Sequence, residues 1–369
     1  MNKSKNSVDT ETLRTWLENK EPIFVLDVRP QVQREEWQIP GSHYLDAYKR
    51  LNEGDNSVLN EIKIPENTKV VTVCAAGRTS QIASDALCQK GIKAVSLEGG
   101  MKAWSLAWNK AVISFSDYKI IQLRRTGKGC LSYILVSNND ALVIDASLPA
   151  GVYEKIIKEN NWLLKAVMET HIHADHLSRS KLLAENNKVD LHLPVPNKVS
   201  FDYTALQDNQ TLALGNINIK VIATPGHTIE SVSFLINNAV LFTGDTLFTN
   251  AVGRPDLKAN DEEIKQRAEL LYESLQSLMK LNDEVIVLPA HTNAPVDFDN
   301  ITIQSTIGEI RNKVLLLKLS KADFIKTILS KLPPSPPNYL DIVERNLSGN
   351  ITGINPVDLE AGANRCAIS

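Results

Sequence analysis

The feature that most constrains this chain is a series of five short polar segments between residues 170 and 291, four of which directly follow an apolar run. The chain has seven histidines, and five of them lie in these segments. Neutral imidazole and carboxylate are the usual protein ligands of divalent transition metals. The segments are 170–176, 225–228, 243–246, 253–256 and 289–291. This pattern predicts a metal site assembled at the ends of several strands.

The first segment has the spacing of a metal-binding motif. His171 and His173 flank one residue, so an extended backbone would turn both rings to the same side. Asp175 and His176 follow within the same turn, and the preceding 164–168 run is apolar enough to form a buried strand. A single buried histidine is more often a core residue than a ligand. Here four polar clusters each follow an apolar run, and this repeated pattern favours a metal site over core histidines.

Composition sets the outer limits. A length of 369 residues predicts two or three domains. The net charge of -3 and the pI near 6.2 give no electrostatic reason to expect nucleic acid or a membrane surface as a partner. No run of 18 apolar residues and no apolar leader is present, so we expect a cytoplasmic protein. Its four cysteines are then free thiols in a reducing compartment.

Hydrophobic periodicity divides the chain into two α/β blocks. The first block alternates helices and strands over about 110 residues, and the second starts near residue 118. A long amphipathic helix over 261–279 should be capped by Asn260, with Glu263 completing the cap. A helix over 324–329 should end at the prolines of 333–337, and the last thirty residues resemble a surface tail. In the first block we predict helices over 12–17 and 82–88 and strands over 23–26, 70–73 and 94–97.

Cys74 lies in a loop that suits a reactive thiol. It directly follows an apolar run, small residues come after it, and a helix should start near Ser80. Backbone N–H groups and a helix N-terminus would then point at the sulfur. The permanent charge of Arg78 adds to this field, so we expect a thiolate nucleophile. The alternative is a small residue packed at a strand end.

Residues 7–110 resemble the rhodanese family of sulfur transferases. The resemblance rests on 26–29, 39–42, the Cys74 loop and 97–104. It implies an α/β domain with a parallel sheet, assigned to 1–112, in which Cys74 carries a persulfide. The loop that would hold the transferred sulfur comprises Ala75, Ala76, Gly77, Arg78, Thr79 and Ser80. The segment before Pro40 lacks a histidine common in the family, but that position is structural, so activity is still expected.

Residues from about 118 to 300 resemble the metallo-β-lactamase fold. The polar segments above and a hairpin over 129–134 and 141–145 carry this resemblance. It implies an αββα sandwich with metals at one edge of its two sheets. We assign this domain to 113–331 and treat 332–369 as a C-terminal extension packed on it.

The 253–256 segment, shortly after Asp245, resembles the persulfide dioxygenase branch of that family. Members of the branch convert a low-molecular-weight thiol persulfide, O2 and water to the thiol and sulfite, and they hold one Fe(II). Carried over by position, the ligands of one Fe(II) per chain are His171, His227 and Asp245, a facial triad with open positions. Arg254 would pair with Asp256 or meet a substrate carboxylate. The residues around the ligands would be His173, Asp175, His176, His291 and Asp256.

The fusion of the two domains predicts oxidation of a thiol persulfide coupled to sulfane-sulfur transfer, and hence sulfide detoxification. One alternative is a binuclear zinc hydrolase of the glyoxalase II type, because every ligand it needs is present. Its two zinc ions would be held by His171, His173, His227 and Asp245, and by Asp175, His176, Asp245 and His291. A second alternative is a non-catalytic sulfur-relay protein that only passes sulfur on from Cys74.

The expected partners are a small-molecule thiol persulfide, O2 and thiosulfate or sulfite. His291 is followed by Thr292-Asn293 instead of the Asp-Tyr pair of glutathione-using members, so the thiol carrier stays open between glutathione, coenzyme A and another. A homo-oligomer also stays open. Cys88 and Cys130 are expected in the core, and Cys366 is expected to be an incidental tail thiol.

Overall fold

The computed structural model describes residues 6–194, 199–362 and 364–369. The first domain is an α/β unit around a parallel five-stranded sheet of order β1-β5-β4-β2-β3. Its strands are β1 (Ser7–Val8), β2 (Ile23–Asp27), β3 (His43–Tyr44), β4 (Lys69–Val73) and β5 (Ala94–Leu97). Its helices are α1 (Thr10–Glu18), α2 (Gln31–Glu36), α3 (Tyr48–Asn52), α4 (Arg78–Gln89) and α5 (Gly100–Trp104), with a 3-10 turn at Asn56–Asn60. All five predicted elements of this block are present.

The continuous apolar runs of β2 and β4 explain their place in the sheet centre, since a parallel strand is covered on both faces. α4 begins at Arg78, two residues before the predicted Ser80, because Gly77 adopts a left-handed conformation at φ 92° and turns the chain there. The helix N-terminus is therefore brought closer to the Cys74 loop than the sequence indicated.

The second domain contains two sheets with helices outside both, which confirms the predicted αββα sandwich. The first sheet has the order β12-β11-β10-β9-β8-β7-β6. Its strands are β6 (Asn109–Ser114), β7 (Tyr118–Arg124), β8 (Leu131–Ser137), β9 (Asp140–Ile144), β10 (Leu163–Met168), β11 (Asp190–Leu193) and β12 (Thr204–Ala205). α6 (Ala150–Glu159) and α7 (Ser180–Asn187) cover its outer face.

The second sheet has the order β13-β14-β15-β16-β18-β19. Its strands are β13 (Thr211–Leu214), β14 (Ile217–Ala223), β15 (Val232–Ile236), β16 (Val240–Gly244), β18 (Ile286–Pro289) and β19 (Ser305–Thr306), and β17 (Val252–Gly253) lies outside it. Its helices are α8 (Asp261–Leu278), α9 (Ile307–Lys313) and α10 (Lys321–Ser330), with a 3-10 turn at Leu315–Lys318. The predicted Asn260–Glu263 capping box is present on α8.

Three apolar layers hold the sandwich together. Tyr133 and Met168 of the first sheet pack against Phe234 and Phe242 of the second, and Tyr133 meets Phe242 edge-on at 4.8 Å between ring centroids. Separate clusters join each sheet to its outer helices. Because both sheets are buried on two faces, their strand ends are fixed in position, and the polar segments project from those ends.

The last thirty residues are not a surface tail, so that part of the sequence prediction is wrong. They form α11 (Tyr339–Ser348), α12 (Pro356–Glu360) and β20 (Ala367–Ile368), which pairs with β17. Glu360 is fully enclosed and its carboxylate meets Arg125 at 2.8 Å and Arg179 at 2.6 Å. It also accepts the Leu177 N–H at 2.9 Å. This buried ion pair ties the extension to the loop that follows His176.

The two domains contact each other through polar bonds. The Trp37 indole donates to the Thr126 carbonyl at 2.9 Å, and the Arg125 guanidinium donates to the Ser105 carbonyl at 2.9 Å. The extension also contacts the first domain, since Arg365 pairs with Glu36 at 2.6 Å. Across the described ranges, no helix combines the length and apolar character needed to cross a membrane.

Candidate functional site

The first candidate site is the Cys74 loop at the end of β4. The Cys74 thiol sulfur accepts hydrogen bonds from the Gly77 N–H at 3.1 Å and the Ser80 hydroxyl at 3.3 Å. Ser80 in turn contacts Ser96 on β5 at 2.8 Å. Thr79 is buried, whereas Ala76 and Arg78 are exposed. The loop therefore presents polar hydrogens to one sulfur, as a persulfide carrier requires.

Gly100 makes this loop compact. Its φ is +56°, and a Cβ there would lie 2.2 Å from the Cys74 carbonyl oxygen and 2.8 Å from the Gly77 nitrogen. The backbone of α5 can approach only because no side chain is present, and the Met101 N–H then donates to the Cys74 carbonyl at 2.8 Å. The left-handed conformation of Gly100 thus allows the backbone of α5 to pack against the loop that would hold the sulfur.

The second candidate site lies where four strands of the sandwich end. His171 follows β10, His227 follows β14, Asp245 directly follows β16, and His291 follows β18. These strands belong to two different sheets, and their ends meet at one edge of the sandwich. This geometry agrees with the site that the sequence predicted at the ends of several strands.

His171, His227 and Asp245 come together as one potential ligand set. Their ligand atoms all lie within 4.8 Å of one another, and each residue is at most 2% exposed. Asp245 Oδ2 is 3.8 Å from His171 Nε2 and 3.6 Å from His227 Nε2. His171 Nε2 and Asp245 Oδ2 have no hydrogen-bond partner although both are buried. Such orphaned atoms fit a bound cation.

The protonation states in this set are those of metal ligands. Burial lowers the pKa of both His171 and His227. Burial opposes the charge on Asp245, but His291 and His171 hold the pKa of this carboxyl well below its usual range. Two neutral imidazoles and one carboxylate are ready to bind a divalent cation.

Neighbouring groups fix the orientation of both imidazoles. Thr170 Oγ1 contacts His171 Nδ1 at 2.9 Å and donates to Asp145 Oδ2 at 2.9 Å. His227 Nδ1 donates to the Arg254 carbonyl at 2.7 Å. In each ring the other nitrogen, Nε2, faces Asp245. These contacts have the form of the outer hydrogen bonds that orient metal-bound histidines.

His173 points away from this set. Its Nε2 lies 2.9 Å from Glu169 Oε2 and 3.3 Å from Asp145 Oδ1. Both are ion-pair contacts between the imidazole ring and a carboxylate. Burial opposes a charge on His173, but the Glu169 and Asp145 carboxylates hold its pKa well above the usual value. Neither carboxylate was among the site residues predicted from the sequence.

His291 lies between two carboxylates. Its Nδ1 is 2.5 Å from Asp245 Oδ1 and its Nε2 is 2.9 Å from Asp175 Oδ2. Burial opposes a positive charge on His291, but Asp175 and Asp245 hold its pKa well above the usual value. This arrangement orients Asp245, which is the role the sequence analysis assigned to the surrounding residues.

Cys130 does more than fill the core. It is buried, but its thiol donates to Asp175 Oδ2 at 3.3 Å. Burial and Asp175 oppose its ionisation, yet Arg125, His176 and His291 together lower the pKa of Cys130 to about 6. Cys130, Asp175, His176 and His291 form a second group that could hold a metal. The sequence placed Cys130 in a hairpin strand, and only its contact with a distant segment shows its polar role.

Arg254 occupies the first of its two predicted positions. Its guanidinium makes two parallel bonds to Asp256 at 2.8 and 2.7 Å and donates to the carbonyls of Pro333, Pro334 and Arg365. The side chain is 0% exposed. Arg254 therefore braces the C-terminal extension against the site, and its donors are taken up by protein groups.

Cys366, expected as an incidental tail thiol, is 1% exposed and lies at the metal centre. Burial and the Asp245 and Asp175 carboxylates raise the pKa of this thiol well above its usual value. A divalent cation would counter both carboxylates. No spacing in the sequence links Cys366 to this centre, because the return of the C-terminal strand is a long-range contact.

Comparison with known families agrees with this geometry. Residues 125–291 match the metallo-beta-lactamase superfamily and residues 9–107 match the rhodanese-like domain. A crystal structure of ETHE1 from Myxococcus xanthus is 26% identical with a TM-score of 0.52, covering 61% of this chain and 95% of that one. A metallo-beta-lactamase from Staphylococcus aureus subsp. aureus COL is 24% identical with a TM-score of 0.58, covering 65% and 75%. The latter shows the fold alone.

Curated relatives include hydrolases. A hydroxyacylglutathione hydrolase of Prochlorococcus marinus (strain MIT 9301) is 29% identical over 51% of this chain and 78% of its own length. Glyoxylase B2 of Dictyostelium discoideum is 32% identical over 46% of this chain. A hydroxyacylglutathione hydrolase of Francisella tularensis subsp. novicida is 33% identical over 43%. The matches span 64% and 61% of the latter two relatives, so less than two thirds of either is shared.

Proposed function

The chain is a rhodanese-like domain fused to a metallo-β-lactamase domain, and from this premise we propose that it is a persulfide dioxygenase with sulfurtransferase activity. The proposed reaction converts a low-molecular-weight thiol persulfide, O2 and water to the thiol and sulfite. One Fe(II) per chain would be held by His171, His227 and Asp245. The proposed setting is cytoplasmic sulfide detoxification.

The observation that carries this proposal is that residues around the ligand set are held by contacts with neighbouring carboxylates. A two-zinc site of the glyoxalase II type needs His173 beside His171, but His173 is turned to Glu169 and Asp145. His291 contacts Asp245 and Asp175 through its two ring nitrogens. His171, His227 and Asp245 then offer two imidazoles and one carboxylate, the donor set that a facial triad of a non-haem Fe(II) oxygenase uses.

The protein's own part in the reaction is to position the ligand side chains and to exclude water from the site. A bound ferrous ion would supply the redox chemistry between O2 and the persulfide sulfur. Thr170 holds the His171 ring, the Arg254 carbonyl holds the His227 ring, and His291 holds Asp245. Each ligand is at most 2% exposed, so the site is shielded from bulk solvent.

The rhodanese-like domain would supply or consume the persulfide. The Cys74 sulfur would attack a sulfane donor such as thiosulfate, take one sulfur and release sulfite. The Gly77 N–H and the Ser80 hydroxyl would stabilise the resulting charge. Transfer of that sulfur to a small thiol gives the substrate of the second domain. The likeness to ETHE1 from Myxococcus xanthus supports the oxidation step.

A thioester hydrolase is the second candidate, and two observations favour it. Three curated relatives are hydrolases or glyoxylases by name. Asp175, His176 and His291, joined by Cys130, form a second cluster that could hold a metal. A hydrolase of this kind would bind two zinc ions and would not consume O2.

Metal analysis separates the two candidates. The protein, purified from iron-containing medium without added metal, should contain about one iron per chain and little zinc. Asp245→Ala and His227→Ala should remove the metal, whereas His291→Ala should keep it and lower the rate by about 10–100-fold. Two zinc ions per chain together with thioester hydrolysis would establish the second candidate instead.

A single substitution separates the two domains' reactions. Cys74→Ser keeps the shape of the loop but removes the effective nucleophile. It should abolish sulfur transfer from thiosulfate while oxidation of preformed thiol persulfide continues. If oxidation of the preformed persulfide also stops, Cys74 takes part in the oxidation and the two-site scheme fails.

A further inference from the structure

The C-terminal strand delivers a protein thiol to the metal centre. The ligand atoms of Cys366, Asp245 and His291 lie within 4.8 Å of one another. Asp245 and His291 are each 2% exposed; Asp245 Oδ2 has no hydrogen-bond partner, whereas His291 Nε2 meets Asp175 Oδ2 at 2.9 Å. The thiol therefore lies beside a buried carboxylate oxygen that has no hydrogen-bond partner.

Several contacts build this position. β20 pairs with β17, and the Arg254 N–H donates to the Cys366 carbonyl at 3.0 Å. The Cys366 N–H donates to Asn364 Oδ1 at 2.8 Å, and the Asn364 amide donates to Asp175 Oδ2 at 3.1 Å. β17 itself presses on the site, because a Cβ at Gly253 would lie 2.0 Å from the Asp245 carbonyl oxygen. The placement of the thiol is thus specified by backbone pairing on both sides.

Cys366 stands beside the ligand set instead of within it. Among the described residues, the set that contains His171 and His227 with all ligand atoms within 4.8 Å includes Asp245 but not Cys366. A second sulfur on the Cys366 thiol would extend it by one S–S bond of about 2.05 Å. A persulfide at this position would therefore extend the reach of Cys366 beyond its present contact with Asp245.

Two neighbouring cavities lie at the domain interface between the Cys74 loop and Asp175. One, of about 360 Å³, is bordered by Ala75, the residue after Cys74, and by Glu36 and Gly362. The other, of about 310 Å³, shares Glu36 and Gly362 and ends at Asp175 and Arg365. The two cavities share part of their walls at the domain interface, and the second reaches Asp175, whose carboxylate is bonded by Asn364 beside Cys366.

We propose that Cys366 is the sulfur carrier of the metal centre: it takes the sulfane sulfur from a small thiol persulfide and presents it for oxidation. The Cys366 sulfur attacks the outer sulfur of R–S–SH, and the bond between the two donor sulfurs breaks. R–SH leaves with the proton that the Cys366 thiol gives up. No electrons are lost in this exchange. The substrate oxidised is then a persulfide borne by the protein.

This inference rests on the proposed dioxygenase function. In the second step the Cys366 persulfide in its Cys–S–SH form, O2 and water give the Cys366 thiol, sulfite and two protons, so the thiol is regenerated. O2 is the oxidant and the outer sulfur is oxidised. The small thiol serves only to deliver sulfur.

The test traps sulfur on the full-length, iron-loaded protein. The protein is incubated without oxygen with preformed glutathione persulfide, alkylated and cleaved after glutamate, which frees the 361–369 peptide. The peptide should carry one extra sulfur on Cys366, and admission of O2 should remove that sulfur in step with sulfite release. Cys88→Ser, on α4 of the other domain, is the matched control and should behave as wild type.

Cys366→Ser should lose sulfite production while keeping its iron. Sulfite production at the wild-type rate by Cys366→Ser, or sulfur that stays on Cys366 while sulfite forms, overturns the carrier role and leaves the dioxygenase function intact. If wild type makes no sulfite from any persulfide, the proposed function itself fails and the carrier role with it. The peptide measurement uses wild type, so it stands even if the variant folds poorly.

Discussion

Glu360 offers the sharpest test of how the extension is held on the metal centre. Its carboxylate is fully enclosed and meets Arg125 and Arg179. Burial opposes its charge, but the two guanidinium groups, Arg179 foremost, lower the pKa of Glu360 from 4.5 to about 2. At about 1.4 kcal/mol per pKa unit, this shift corresponds to about 3 kcal/mol of stability near neutral pH. Removal of one partner of a buried ion pair costs a similar ~3–5 kcal/mol.

Glu360→Gln keeps the size of the side chain and removes its charge, so both arginines are left buried without a counter-ion. We expect a loss of about 3 kcal/mol in the free energy of unfolding at pH 7, measured by urea titration. Because the folded pKa is depressed, the wild-type advantage is complete above pH 4.5 and is lost as the pH falls toward 2. The difference between the two proteins should therefore shrink over that range.

The control is Asp358→Asn on the same helix. Asp358 pairs with Lys102 at 2.5 Å, but both side chains are largely exposed, so its loss should change stability little. A loss at Glu360 no larger than at Asp358, or one that does not depend on pH between 4.5 and 2, would refute the view that this buried pair anchors the extension.

Two further predictions concern the sites. Thr170→Val removes the contact with His171 and should lower metal affinity by about 10–100-fold in a chelator competition, whereas Thr170→Ser should retain it; equal affinities would show that this contact does not orient the ring. Gly100→Ala places a Cβ against the Cys74 carbonyl and should abolish sulfur transfer from thiosulfate, whereas Gly151→Ala, in open space on α6, should not; an active Gly100→Ala would contradict the close packing of the loop.

The sequence allowed prediction of those site residues that directly follow a strand. His171, His227 and Asp245 each come shortly after an apolar run, so their meeting at one sheet edge could be predicted from local pattern alone. Cys130 and Cys366 could not be placed in this way. Cys130 reaches Asp175 through tertiary packing, and Cys366 arrives through the β17–β20 pairing, which neither spacing nor propensity encodes. The same limit applies to Glu360, since nothing near it in sequence indicates burial.

Oxygen uptake with paired substrates tests the central claim most directly. The iron-loaded protein is supplied with glutathione persulfide in one cell and with S-lactoylglutathione, a glutathione thioester, in another, and O2 consumption, sulfite and free thiol are followed together. The proposed function predicts one sulfite formed for each O2 consumed with the persulfide, and no thioester hydrolysis. Hydrolysis of the thioester without O2 consumption from the persulfide would contradict it.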